Sequence, residues 1–219
     1  MSSDISILSE DPQKCGRRGR PKTSPDPVRR AAVAGEGRRL FMECGYSGMT
    51  MDELASRCQM SKRTLYKLFP SKRELFAVIV DDHRQSMLGL PFDDDLVDIS
   101  VALRRIFRMD IGEEEHIQRM AMMRLCKAES PECEEMRAVL MENAYDLSTR
   151  YFSEWISRQV NLGRMRCIDP KTATMIMFDM FFGALFTHDR QIREWESIDE
   201  RRKYMEECLK IFIDGTRVG

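Results

Sequence analysis

Three helix caps crowd into the stretch TMDELASRCQMSKRTLYKLFPSKRELF, residues 50–76, and they leave this part of the chain little choice of fold. Thr50 with Glu53 three residues on forms a capping box, Ser61 is placed to cap a second helix, Pro70 stops it, and Ser71 caps a third. The spacing predicts two short helices, about 51–58 and 62–69, joined by the tight RCQMS segment. Helices of two turns are marginal on their own, so each must bury one face. In the second, Leu65, Leu68 and Phe69 supply that face, while Lys62, Arg63, Thr64 and Lys67 lie opposite. This is helix-turn-helix geometry, in which the second helix enters the DNA major groove and offers donors to phosphates and base edges. Tyr66 joins a packing ring to a hydroxyl that suits a phosphate oxygen. Lys72 and Arg73 open the next helix, where the macrodipole also draws anions. A solvated amphipathic helix presents the same basic face.

Upstream, Asp26-Pro27 reads as a cap and first helical residue, with Val33, Gly37, Leu40, Phe41 and Cys44 at helical spacing and Gly45 as the stop. Beyond Gly89 the pattern stays helical, with segments expected at about 96–110, 113–128, 132–162, 170–190 and 199–215. Neither strand alternation nor an internal repeat is visible. The expected fold is all-α: a basic disordered arm over 1–25, a three-helix DNA-binding domain over 26–84, and a helical effector-binding and dimerisation domain over 85–219.

Charge supports that division. Residues 1–80 hold 15 Lys+Arg against 9 Asp+Glu, a local +6, and residues 81–219 hold 20 against 27, a local −7. A basic first third on an acidic remainder fits a polyanion-binding module joined to something else. Within the arm, Arg18 and Arg20 flank Gly19 ahead of Pro21, a thin strip that fits an A·T-rich minor groove and resembles the core of an AT-hook. A flexible tail adding only salt-sensitive attraction is the plainer alternative.

Gly45-Tyr46, Thr50-Met51-Asp52-Glu53-Leu54-Ala55, Ser61 through Tyr66, Phe69-Pro70-Ser71-Lys72 and Leu75-Phe76 together resemble the DNA-binding domain of TetR/AcrR-family transcriptional regulators, over roughly residues 28–80. The resemblance implies DNA contacts at Thr50, Met51, Ser61, Lys62, Arg63, Thr64, Tyr66, Lys67 and Lys72, with Tyr66 and Lys72 on phosphates and the start of the second helix on bases. Three departures stand out: Leu68 where the family often has histidine or another polar residue, Arg63 where glycine is frequent, and Gly35 with Gly37 inside the first helix.

The stretch Gly163-Arg164-Met165-Arg166 followed by Asp169-Pro170 resembles the entry to the penultimate helix of the same family, whose last two helices pair with their copies in a second subunit. Gly183 and Ala184 permit close helix approach, and Met180, Phe181, Leu185, Leu209 and Phe212 are the expected dimer residues, unless they are simply core. An effector pocket is expected among Met120, Met123, Arg124, Tyr151, Trp155 and Met177. Methionine adapts to varied apolar ligands and Arg124 can meet an acidic group, though methionine at helical spacing also serves as plain core.

Catalysis finds no support. His83, His116 and His188 share no metal-ligand spacing, and GxSxG, phosphate-cradling and dinucleotide motifs are missing. Cys126 and Cys133 are too far apart for a redox or zinc pair. No cofactor and no metal is expected. Seven scattered cysteines and no apolar leader indicate a reducing cytoplasm. The most apolar segment, 172–187, contains Asp179 and falls about one turn short of a membrane span. The expected partners are double-stranded DNA, a second copy of the chain, and a small apolar or amphipathic effector that releases a repressor from a palindromic operator. The alternatives are an architectural or activating A·T-rich DNA binder, and a thiol sensor using Cys15 or Cys133.

Overall fold

The computed structural model describes residues 26–166, 168–187 and 191–218, and Cys15, Arg18, Arg20 and His188 lie outside them. It is built from helices α1 (Asp26–Gly48), α2 (Met51–Arg57), α3 (Lys62–Leu68), α4 (Lys72–Met87), α5 (Ile99–Ile106), α6 (Glu113–Glu129), α7 (Glu134–Leu140), α8 (Asp146–Asn161), α9 (Pro170–Gly183) and α10 (Ile198–Thr216). The expected long helix at 132–162 is α7 and α8 joined by one π-helical turn, Met141–Tyr145. The expected helix at 170–190 stops at Gly183, and Phe186 then bridges to Ile192.

Two buried clusters organise these helices. The first collects Leu40, Phe41, Leu54, Leu65, Phe69, Leu75 and Phe76 from α1–α4, and extends to Met122, Met136 and Val139 of α6 and α7. The second collects Leu103, Phe107, Phe152, Trp155, Phe178 and Phe212 from the region of α5, α8, α9 and α10. Helix α6 serves both: Met120 belongs to the second cluster and Met122 to the first. Two residues on a helix are about 200° apart, so opposite faces of α6 reach opposite cores.

The α1–α4 contact explains one of the two glycines inside α1. A Cβ at Gly37 would lie 3.2 Å from methyl carbons of both Leu75 and Ile79, whereas one at Gly35 would meet nothing within 4 Å. Gly37 therefore permits close approach of two helices. Gly35 has no such role.

Gly45 does not end α1 but bends it, at φ 72° and ψ −179°. That region is open to glycine and costly for other residues. None of the described helices is long and apolar enough to cross a membrane.

Candidate nucleic-acid interface

The three caps read in the stretch 50–76 are made, whereas Asp26, read as the cap of the first helix, lies inside α1. Thr50 Oγ1 accepts from the Glu53 N–H at 3.2 Å, Ser61 Oγ from Thr64 at 3.1 Å, and Ser71 Oγ from Glu74 at 3.1 Å. Between α2 and α3 the chain reverses at Gln59, which takes φ 50°. A non-glycine residue here is uncommon and went unnoticed in the sequence, because glutamine is not among the residues that mark such turns.

Leu65 and Phe69 are fully buried, and Leu68 is 7% exposed. This anchoring leaves Lys62, Arg63, Tyr66 and Lys67 exposed on the other face, with Tyr66 at 46%. Lys62 pairs with Asp52 of α2 at 2.7 Å, but both ends are solvated, so the pair is worth under about 1 kcal/mol and exchanges cheaply for a phosphate. Arg63, Tyr66 and Lys67 make no hydrogen bond or ion pair with a described residue.

Two expected contact side chains point elsewhere. Met51 is 8% exposed and packs in the core, so its side chain is structural. Lys72 turns inward: its ammonium donates to the Tyr46 carbonyl at 2.7 Å and the Met49 carbonyl at 3.2 Å, and lies 4.2 Å from the centre of the Tyr46 ring. The carbonyls at the end of α1 are unpaired by helix geometry, and a nearby cation is their natural partner. A phosphate at Lys72 must compete with them.

Sequence reading also missed what holds α2 and α3 in place. Arg30 of α1 donates to the Leu68 carbonyl at the end of α3, with its guanidinium 4.1 Å from the Phe69 ring centre. Arg57 of α2 meets Glu43 at 2.7 Å, Glu53 at 2.9 Å and Glu36 at 3.7 Å, which ties α2 to α1. No local motif announces pairs so distant in sequence.

The kink at Gly45 joins this face to the rest of the molecule. The Tyr46 N–H donates to Glu129 Oε2 of α6 at 2.6 Å, and the Tyr46 hydroxyl to Glu135 Oε2 of α7 at 2.7 Å. Burial, and then the Glu135 carboxylate, push the phenol well above its ordinary pKa. Arg73, at the start of α4, pairs with Glu142 of the π turn at 2.6 Å.

The six expected pocket residues do not line one cavity. Met120 and Arg124 border a surface cleft of about 270 Å³. Trp155 and Met177 are buried at 1% and 0% in the filled second core, with Met123 and Tyr151 packed on its margin. The expected dimer residues need correction too. Phe181, Ala184, Leu185, Leu209 and Phe212 are buried in the chain's own core and have little surface to offer a partner; only Met180 is partly open. The exposed apolar positions of the same helices are Met175 and Ile176 on α9, and Tyr204 and Ile211 on α10.

Among the cysteines, burial pushes the Cys126 thiol up to about 12 and raises those of Cys58 and Cys208. Thiolates are disfavoured at all three, so none is suited to redox sensing.

Residues 36–79 match the model for bacterial regulatory proteins of the tetR family, and residues 102–215 match the C-terminal domain of AefR-like transcriptional repressors. The HTH-type transcriptional activator FasR of Mycolicibacterium smegmatis is 29% identical over 90 residues, which are 40% of this chain and 41% of FasR. The match thus spans well under half of that regulator. A tetR-family regulator structure from Mesorhizobium loti superposes with TM-score 0.63 at 20% identity, covering 90% of this chain and 100% of the other. The flavonoid-responsive regulator FrrA gives 0.60 at 24% identity over 87% and 98%. One from Rhodococcus gives 0.65 at 14% identity over 85% and 99%. At these identities the structures share the fold.

Proposed function

The chain belongs to the tetR family of bacterial regulatory proteins, DNA-binding transcription regulators that are not enzymes, and from that premise we propose that it binds a palindromic operator as a homodimer and is released by a small effector. The observation that carries this reading is the exposed row of Arg63, Tyr66 and Lys67 on a helix anchored by Leu65 and Leu68, with donors not engaged by described residues. Residues 26–84 act as the DNA-binding domain and 85–219 as the effector and dimer domain. In the dimer the two α3 helices lie about 34–36 Å apart, one turn of duplex. The face that pairs is the outward one of α9 and α10, where Met180, Tyr204, Cys208 and Ile211 border an apolar groove of about 460 Å³. Thr50 and Ser61 serve DNA binding as caps that aim helix N-termini at phosphates, and Lys62 and Thr64 join Arg63 on base edges. The arm residues Arg18 and Arg20 follow the adjacent minor groove.

The effector acts through the helices that face both cores. FrrA is flavonoid-responsive by its description, so a response to a small molecule is compatible with this fold. Glu129 and Glu135 hold the α1 kink through Tyr46, so a shift of α6 or α7 moves the DNA-binding helices. Such coupling is reciprocal: DNA must weaken the effector by the factor by which the effector weakens DNA. The unpaired state of Cys44, Cys58, Cys126, Cys133 and Cys208 suits action in the cytoplasm.

Titration of the purified protein on its own upstream intergenic DNA, with a scrambled control and a salt series followed by anisotropy, tests the reading. The expected preference is about 10³-fold or more. Equal, steeply salt-dependent binding to both fragments refutes it. Activation is the second reading, favoured by the name of FasR as the AefR-like C-terminal model favours repression. Transcription from that fragment with and without protein separates the two.

A further inference from the structure

Three of the four polar side chains that open α3 are already engaged within the protein, and the fourth is Arg63. Ser61 Oγ accepts from the Thr64 N–H at 3.1 Å and shares a second hydrogen bond with Thr64 Oγ1 at 2.8 Å, so the two hydroxyls satisfy each other. The Lys62 ammonium rests on Asp52 of α2 at 2.7 Å. Arg63 is exposed and makes no hydrogen bond or ion pair with a described residue, so its guanidinium keeps its donors for something outside the chain.

Helix phase puts this arginine at the centre of the outward face. Each residue turns a helix by about 100°, so Lys62 and Thr64 stand to either side of Arg63, while Tyr66 and Lys67, three and four residues on, continue its stripe. Leu65 and Leu68 lie across the helix from it, at 0% and 7% exposure. The far end of α3 is fixed as well, because Arg30 donates to the Leu68 carbonyl and its guanidinium lies 4.1 Å from the centre of the buried Phe69 ring. The backbone beneath Arg63 is held, and the tip of its side chain is free.

In helix-turn-helix docking the N-terminal residues of the second helix meet base edges. Arg63 is the second residue of α3, whereas Tyr66 and Lys67 belong to its last turn. A guanidinium fork presents two parallel donors. Only guanine carries two acceptors, N7 and O6, on its major-groove edge; adenine sets one acceptor beside a donor, thymine one acceptor beside a methyl group, and cytosine a donor.

We infer that Arg63 reads a guanine in each operator half-site through N7 and O6, and that this contact sets the base preference of α3. The inference deepens the operator-binding reading above and rests on it. In a palindrome the two guanines are related by the twofold axis, one on each strand. A bidentate pair of this kind discriminates against other bases by about 5- to 150-fold. Lys62 and Thr64 reach bases only by giving up the partners they already have.

The test selects bound duplexes from a random-sequence pool with full-length wild type, Arg63→Gln and Arg63→Ala. Anisotropy then compares guanine with 7-deazaguanine at the assigned position of the duplex that wild type enriches. Wild type should enrich an inverted repeat with a fixed guanine in each half. Arg63→Gln should enrich the same repeat with adenine at that one position, since glutamine pairs with adenine N6 and N7. Arg63→Ala should keep the rest of the repeat and lose the preference there. Removing the N7 acceptor with 7-deazaguanine should weaken wild type roughly tenfold or more per half-site and leave Arg63→Ala unchanged. All three proteins should melt alike, because the side chain is exposed and unpartnered. A guanine that persists in the Arg63→Ala selection, an equal loss in that variant on duplexes with and without the guanine, equal losses to 7-deazaguanine in both proteins, or a lower Tm in Arg63→Ala would each overturn this inference and leave the operator reading standing. A wild type that enriches no inverted repeat refutes the operator reading, and this inference with it.

Discussion

Replacing Gly45 with alanine tests the join between the α1 kink and α6. At φ 72° and ψ −179° the backbone lies where alanine is strained by about 2 kcal/mol. The added Cβ would stand 1.8 Å from Glu129 Oε1, so the carboxylate must leave. Leaving breaks its 2.6 Å bond to the Tyr46 N–H, a charge-assisted bond worth about 2 kcal/mol. Gly45→Ala should therefore cost about 4 kcal/mol, a large part of a typical total stability. Glu129→Ala alone should cost about 2 kcal/mol, since it breaks the same bond without straining the backbone. The double variant should again cost about 4 kcal/mol, because the bond is lost once and the clash is gone, leaving a coupling of about 2 kcal/mol between the sites. Urea unfolding followed by circular dichroism measures all three. Additive costs, within about 0.5 kcal/mol, would refute the reasoning.

Gly35→Ala should stabilise by about 1 kcal/mol because its Cβ meets open space, while Gly37→Ala should gain less or lose, its Cβ pressing on Leu75 and Ile79; urea midpoints compare them. Ile211→Glu should convert the dimer to monomer in light scattering without loss of helix, and an unchanged mass would sink the outward α9–α10 face as the interface. Lys67→Ala should weaken binding to every DNA sequence and lower the salt slope by about 1, whereas Met51→Leu should leave affinity unchanged because that side chain is core. His83 is neutral in the fold, with its pKa pushed down to about 4 by burial and then by Arg38 and Arg119, so the unfolded chain takes up a proton first as pH falls. Stability from this group is full above about 6.5, drains between there and about 4, and is level below; across that window wild type should lose about 3 kcal/mol more than His83→Gln.

The helix-turn-helix was legible because each of its boundaries rests on a side chain that acts locally: Thr50, Ser61 and Ser71 cap whatever helix follows them, and Pro70 ends the one before it. The inward face of α3 was legible for the same reason, since helical spacing alone puts Leu65 and Leu68 together. What failed was the choice between two apolar stripes on one helix. On α9 both Phe181 and Ile176 are apolar, and on α10 both Leu209 and Ile211 are. Only the packing of five helices around Phe107 and Phe152 decides which stripe goes inside. The inward turn of Lys72 escaped notice because a cation's partner is set by residues far along the chain. A motif can say that a lysine is present but not which carbonyls it will meet.

The π turn at Met141–Tyr145 gives α7 and α8 a gear. Each residue advances a helix by about 100°, so the single extra residue of a π turn rotates everything beyond it by that amount relative to an uninterrupted helix. Met136 and Val139 can then face the DNA-binding core while Phe152, Trp155 and Ile156 face the other. Arg73 grips this turn through Glu142, at the very point where the phase changes. Loss of the extra residue, with the turn reverting to α-helix, would rotate one core against the other by that angle without breaking the rod that joins them. Five residues thus set the phase between the two cores.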